Sequence, residues 1–126
     1  MGERVAVIGG TGFLGSNLVV ALLEAGYVPV VVARRPQKIA KVLPGIDVET
    51  RPGDLTDLES LRSALAGCDV VHSVAALMSQ VFTSPSDGLR AAAIKTNVEG
   101  TLNALRAAQE VGARRVVVTS SSSIRY

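Results

Sequence analysis

An apolar run, RVAVI at Arg4–Ile8, enters GGTGFLG, which holds four glycines in the seven residues 9–15, and the chain leaves them in a segment of helical period that stops before Gly26. A strand that must turn into a helix through that much bare backbone leaves few folds open. Glycine there serves three physical needs: a tight reversal, close packing of the helix on the strand, and approach of a ligand to main-chain N–H groups with no Cβ in the way. The ligand such a turn suits is an anion, because the first turn of a helix carries free N–H donors and the positive end of the macrodipole. Both Gly10-x-Gly12-x-x-Gly15 and Gly9-x-x-Gly12-x-x-Gly15 fit the letters, and no Gly-Lys-Ser/Thr follows, which excludes a P-loop.

The pattern then repeats. β-Branched runs at residues 4–8, 28–33, 48–51, 70–74 and 115–119 predict five strands, and segments of helical period at 12–25, 36–43, 57–66 and 89–111 predict helices between them. Thr56 ahead of DLES gives the third helix an expected N-cap, with Glu59 closing a capping box. Gly26 and Gly112 stand where C′ glycines end helices. Near-continuous apolar strands such as VPVVV fit a parallel sheet covered on both faces, and right-handed crossovers put helices on both sides. The expectation is a single α/β domain over residues 1–126: a doubly wound parallel sheet of the Rossmann kind, with strand order 3-2-1-4-5 and a ligand across the switch point between the first and fourth strands. With 48% apolar but only 3% aromatic residues, the core must be aliphatic. The chain stops at Tyr126, directly after the fifth strand, so the sequence reads as the N-terminal part of a longer protein, truncated before the helix that would cover that strand. A polar, turn-rich stretch at residues 78–88 has the length of an active-site loop.

Several function classes recede. Net charge is only +2, and the basic residues are scattered, with no basic block interleaved with aromatics, so no nucleic-acid partner is expected. Cys68 is the sole cysteine and reads as a small buried residue, in keeping with a reducing compartment. No run approaches the ~18 apolar residues of a membrane span, and MGERVAV lacks a signal-peptide layout. The expectation is a cytoplasmic protein with no membrane partner, no metal site and a small-molecule substrate; an aliphatic face left open beside the fifth strand makes a homo-oligomer possible.

The second strand ends on Arg34-Arg35, where an NAD site usually places the acid that bonds the ribose 2′-hydroxyl. Arginine there would instead form charge-assisted bonds to a 2′-phosphate, and Lys38 adds a further positive charge. The residues therefore point to NADP ahead of NAD. His72, within an apolar strand, reads as a packed residue rather than an acid-base group.

VIGGTGFLG, ARRPQK, RPGDLTDLESLRSALAGCDVVHSVAA and KTNVEGTLNALRAAQEVGARRVVVTSSS follow one another in an order and spacing that resembles the extended short-chain dehydrogenase/reductases, the epimerase/dehydratase and dihydroflavonol-reductase-like group. The resemblance implies hydride transfer between NADP and a hydroxyl or carbonyl carbon. It implies that Gly9, Gly12 and Gly15 are phosphate-loop glycines, with Phe13 and Leu14 supplying backbone at the helix start. It implies that Asp54 and Leu55 hold the adenine, that Ser73, Val74, Ala75 and Ala76 are small residues against which the cofactor lies, and that Asn97 sits in the long helix beneath the active site. Among the serines after the fifth strand it implies Ser121 as the catalytic hydroxyl, with Ser120 and Ser122 as neighbours within one step of register. The family's Tyr-x-x-x-Lys does not follow: Tyr126 stands five residues after Ser121 with no lysine behind it, so this chain alone is expected to be inactive. The competing reading is a non-catalytic NADP-binding sensor or scaffold of the atypical branch, which keeps the glycine loop and lacks that pair.

Overall fold

The aliphatic runs pair into one parallel sheet. The computed structural model describes residues 2–76 and 87–121, and among them β1 (Arg4–Ile8), β2 (Val28–Ala33), β3 (Glu49–Pro52), β4 (Val70–Ser73) and β5 (Arg115–Val118) are ordered β3-β2-β1-β4-β5, the order expected. β1 lies at the centre, with Ala6 beside Val30 and Val71 and Ile8 beside Val32 and Ser73. Side chains alternate across the pleat, so each central strand feeds two cores. Val5, Val7, Val31 and Val70 face α1 (Phe13–Glu24) and α2 (Ile39–Val42), where Val19, Leu22 and Ile39 cover them. Ala6, Ile8, Val30, Val32 and Val71 face the other way, against Leu61 and Leu65 of α3 (Leu58–Leu65) and Ala104, Ala107 and Ala108 of α5 (Gly100–Glu110). Truncating a side chain as enclosed as Leu61 costs about 2–5 kcal/mol.

The edge strands are less apolar and less covered than the central ones. β3 carries ETRP, and Arg51 both pairs with Glu49 at 2.8 Å and donates to the carbonyls of Ala64 and Ala66 at 2.9 and 2.6 Å, satisfying orphan acceptors at the end of α3. Charge and Pro52 blunt that edge. At the opposite edge Val116 packs inward, while Val117 and Val118 stay 39% and 42% exposed.

Helix ends follow local chemistry. Gly26 and Gly112 have φ of +85° and +79° and close α1 and α5 as C′ residues. The capping box does not form: Asp57 is the N-cap of α3, its carboxylate accepting from the Ser60 N–H, because the Thr56 hydroxyl is taken by Asp54. The single helix expected over residues 89–111 begins earlier, as α4 (Asp87–Ile94), and reaches α5 through five residues of π-helix, Lys95–Glu99. The expected helix at 36–43 is a 3₁₀ turn, Pro36–Lys38, followed by the single turn α2. The expected loop at residues 78–88 lies outside the described residues except for its last two, which open α4.

Candidate dinucleotide site

In a parallel sheet all strands end on the same side, so the segments after β1, β2, β3 and β4 meet along one rim. A cleft of about 590 Å³ opens there. Its floor is the glycine turn. Gly9 takes φ +91° and donates its N–H to the Val32 carbonyl at 2.8 Å, carrying the β1–β2 ladder one step past the strand. Gly12 then donates to the Gly9 carbonyl at 3.0 Å, and α1 starts at Phe13 with no side-chain cap. The amides of Phe13, Leu14 and Gly15 are thus first-turn donors beside the cleft, with the helix dipole behind them.

The four glycines have different neighbours, which resolves the two spacings left open by the letters. A Cβ on Gly15 would sit 2.1 Å from the Gly9 carbonyl oxygen, so Gly15 is where helix and turn touch. One on Gly10 would meet a Val31 methyl at 2.9 Å, on the sheet side. Gly9 abuts Ala75, whose backbone nitrogen would lie 2.9 Å from such a Cβ; that contact explains why small residues follow β4. At Gly12 the nearest atom is the Gly9 oxygen at 3.4 Å, an ordinary distance, and the remaining space is open. Gly9, Gly12 and Gly15 line the cleft and Gly10 does not. The clearance at Gly12 fits an anion held against main-chain donors.

The walls come from the next three turns. Arg34 follows β2 and lines the cleft on one side. A second hollow of about 340 Å³ adjoins it, lined by Thr11, Arg34, Arg35 and Lys38, so three cations surround a space with no acid in its lining. After β3, Gly53 donates to the Ala33 carbonyl at 3.0 Å and brings Asp54 to the rim. The Asp54 carboxyl is held below its usual range, first by the Thr56 N–H, with the Thr56 hydroxyl, Arg34 and Lys95 adding to the effect against the opposing cost of partial burial. Leu55 is only 6% exposed: it touches the cleft, but its side chain belongs to the core and rests on Gly100, where a Cβ would lie 2.7 Å away. Ala75 and Ala76 complete the wall after β4, and Ala92 of α4 and Thr96 of the π-helix face them.

Some expected residues lie off the cleft. Ser73 is 5% exposed within β4, between Ile8 and Val118, and Val74 takes the first lining position after the strand. Asn97 is half-buried in the π-helix, its carbonyl accepting from the Thr101 hydroxyl at 2.6 Å; its neighbour Thr96 reaches the cleft. Ser120 and Ser121 follow β5 on the same rim, exposed and apart from the cleft lining, and Ser122 lies outside the described residues. Thr11, Thr56 and Thr96 line the site without having been expected there, although each stands beside a residue already singled out: Gly12, Leu55 and Asn97. Cys68 is buried, with its thiol pushed up by burial, and His72 is half-buried, with its imidazole pushed down by the same cause. Among the described residues no helix is long and apolar enough to cross a membrane.

A doubly wound parallel sheet with a glycine turn at the switch point defines the Rossmann class of nucleotide-binding domains. Residues 5–125 match the NAD dependent epimerase/dehydratase family, and the chain belongs to that family. It is 36% identical over 123 residues to a 3-beta-hydroxysteroid dehydrogenase of Mycolicibacterium neoaurum, covering 96% of this chain and 32% of that protein. It is 36% identical over 129 residues to the dihydroflavonol 4-reductase of Zea mays, covering 94% and 34%. Among solved structures, a short-chain dehydrogenase/reductase superfamily protein from Agrobacterium tumefaciens with bound NAD superposes with a TM-score of 0.79 at 30% identity, over 97% of this chain and 34% of that one. The chain spans about a third of the length of the curated relatives it matches.

Proposed function

We propose that this chain is the dinucleotide-binding portion of an NADP-dependent oxidoreductase that moves hydride to or from a hydroxyl or carbonyl carbon of a small molecule. The observation that carries the reading is the hollow of Thr11, Arg34, Arg35 and Lys38 opening beside the glycine cleft. Phe13, Leu14 and Gly15 would hold the pyrophosphate by their amides over the clearance at Gly12. Asp54 would accept from the adenine amino group, and Arg34 and Arg35, with Lys38, would take the 2′-phosphate. NADP supplies the hydride chemistry when bound. The family resemblance supports Ser121, with Ser120 and Ser122 as its alternatives, as the hydroxyl that would bond the substrate oxygen. The names of the relatives, a hydroxysteroid dehydrogenase and a dihydroflavonol reductase, support oxidoreduction. The solved neighbour holds NAD; the choice of NADP rests on this chain's own cations.

Calorimetric titration with NADPH, NADP, NADH and NAD tests the reading, followed by NADPH oxidation by the full-length protein across carbonyl substrates that include a 3-oxosteroid and a dihydroflavonol. NADP forms should bind at least tenfold tighter than NAD forms. Equal affinity would remove the 2′-phosphate role, and no dinucleotide binding would overturn the whole reading. Tight NADP binding without turnover of any substrate would favour the sensor or scaffold alternative.

A further inference from the structure

In the turn after β3 the Asp54 carboxylate is held by one of its two oxygens. Asp54 Oδ1 accepts two bonds from a single residue, the Thr56 backbone N–H at 2.9 Å and the Thr56 hydroxyl at 2.8 Å. No described residue donates to Oδ2. A carboxylate offers about four acceptor positions on two oxygens, and it rotates easily about its last torsion. Two donors converging on one oxygen stop that rotation, and the second oxygen is then held in one place on a residue that lines the cleft. Thr56 lines the same cleft, so the clamp sits at the site itself. The surrounding backbone is fixed as well: Asp54 N–H donates to the Ser60 hydroxyl at 3.0 Å, Asp57 N–H to the Asp54 carbonyl at 2.9 Å, and the Asn103 amide reaches the Leu55 carbonyl at 2.8 Å. A threonine that merely capped α3 would turn its hydroxyl toward the helix. This one turns it to Asp54, and Asp57 does the capping.

We propose that Thr56 is a positioning residue that, through Asp54, sets the protein's discrimination between purines bearing an exocyclic amino group at C6 and those bearing an oxygen there. The proposal rests on the adenine role given to Asp54 above. An acid held by one oxygen presents the other as an acceptor only. That suits the N6–H of adenine and is mismatched to the O6 of hypoxanthine, where two acceptors would face each other. A freely turning carboxylate still offers only acceptors, but ordering one of them at each binding event cancels part of the N6–H bond, so less of the preference for adenine is realised. Threonine at this position therefore adds purine selectivity rather than affinity for the dinucleotide as a whole.

The test compares binding of NADP and of its hypoxanthine analogue, nicotinamide hypoxanthine dinucleotide phosphate, by calorimetry on the wild type, Thr56→Val and Thr56→Ser, with thermal melts to establish that each variant is folded. Valine keeps the shape and the backbone bond and removes the hydroxyl, whereas serine keeps the hydroxyl. The wild type should prefer the adenine form by about tenfold, the worth of one hydrogen bond to a charged acceptor. Thr56→Val should reduce that preference to about threefold or less by weakening NADP alone, and Thr56→Ser should restore it. Equal losses for both ligands in Thr56→Val, or an unchanged ratio, would overturn the positioning role while leaving the dinucleotide reading in place. A wild type that binds neither ligand would overturn that reading and this inference with it.

Discussion

Asn103 on α5 donates its side-chain amide to the Leu55 carbonyl at 2.8 Å, tying the helix to the turn that carries Asp54 across 48 residues of chain. Three residues earlier on the same helix, Gly100 leaves room for the Leu55 side chain. The Asp54 side of the cleft is thus built on α5 as much as on β3. Asn103→Ala should cost about 1 kcal/mol of stability, the net worth of a neutral hydrogen bond, and should weaken NADP a fewfold as the turn loosens. Urea unfolding and a cofactor titration on the same preparation check both. Full stability with full affinity would show that the bond is incidental.

The glycines of the turn should separate under mutation. Gly12→Val meets only the Gly9 oxygen at an ordinary distance, so the variant should fold at near wild-type stability and lose dinucleotide binding. Gly15→Ala places its methyl 2.1 Å from the Gly9 carbonyl and must push helix and turn apart, at about 2 kcal/mol or more. Thermal melts and calorimetry on the pair should give opposite signatures; a folded Gly12→Val that still binds NADP would take the glycine turn out of the site.

Arg34 and Arg35 should decide between the two cofactors. A charge-assisted bond contributes about 1.5–3 kcal/mol, and each 1.4 kcal/mol is tenfold in affinity. The double alanine variant should therefore lose one to two decades in roughly that proportion for NADP and little for NAD. Equal loss for both would mean that the arginines serve the pyrophosphate or the fold instead. Because both side chains are exposed, the NADP preference should also shrink as salt is raised.

His72 gives the fold a pH signature that one substitution can isolate, since the chain has a single histidine. Burial pushes its imidazole below the ordinary value of 6.5, so the unfolded chain takes up a proton before the folded one does. Stability should be unaffected above the unfolded value and should fall as the pH drops through it toward the folded value. Thermal melts between pH 8 and pH 5 should show that decline in the wild type and a flatter profile in His72→Val. Parallel profiles would mean that the carboxylates, not His72, set the acid limb.

The sheet was legible because its signals are local and mutually consistent. RVAVI and VPVVV are dominated by valine and isoleucine, their bounds agree with β1 and β2 to the residue despite Pro29, and Gly26 and Gly112 take the left-handed conformation their positions require. Where two residues compete for one partner, the letters were insufficient. Thr56 and Asp57 are both good caps, and the outcome turned on the Asp54 carboxylate, which captures the threonine hydroxyl. The π-helix at Lys95–Glu99 leaves no signature in the helical period and came only with the structure. Ser73 stands one residue short of the cleft lining, because β4 ends there and the rim starts at Val74. The cationic hollow was the most legible part of the site, since Arg34, Arg35 and Lys38 fall within five residues of one strand end.

The unequal surroundings of the four glycines bear on how such a domain would age if its ligand were lost. Gly10 and Gly15 are enclosed by the protein's own atoms, and Gly9 combines a left-handed backbone with the close approach of Ala75, so an idle descendant would still be held to all three by the demand of folding. Gly12 alone is spared any such demand, and drift would reach it first. A descendant with an intact Gly9, Gly10 and Gly15 but a bulky residue at position 12 would be a fold that has outlived its cofactor, while glycine retained at position 12 is the mark of a lineage still in use.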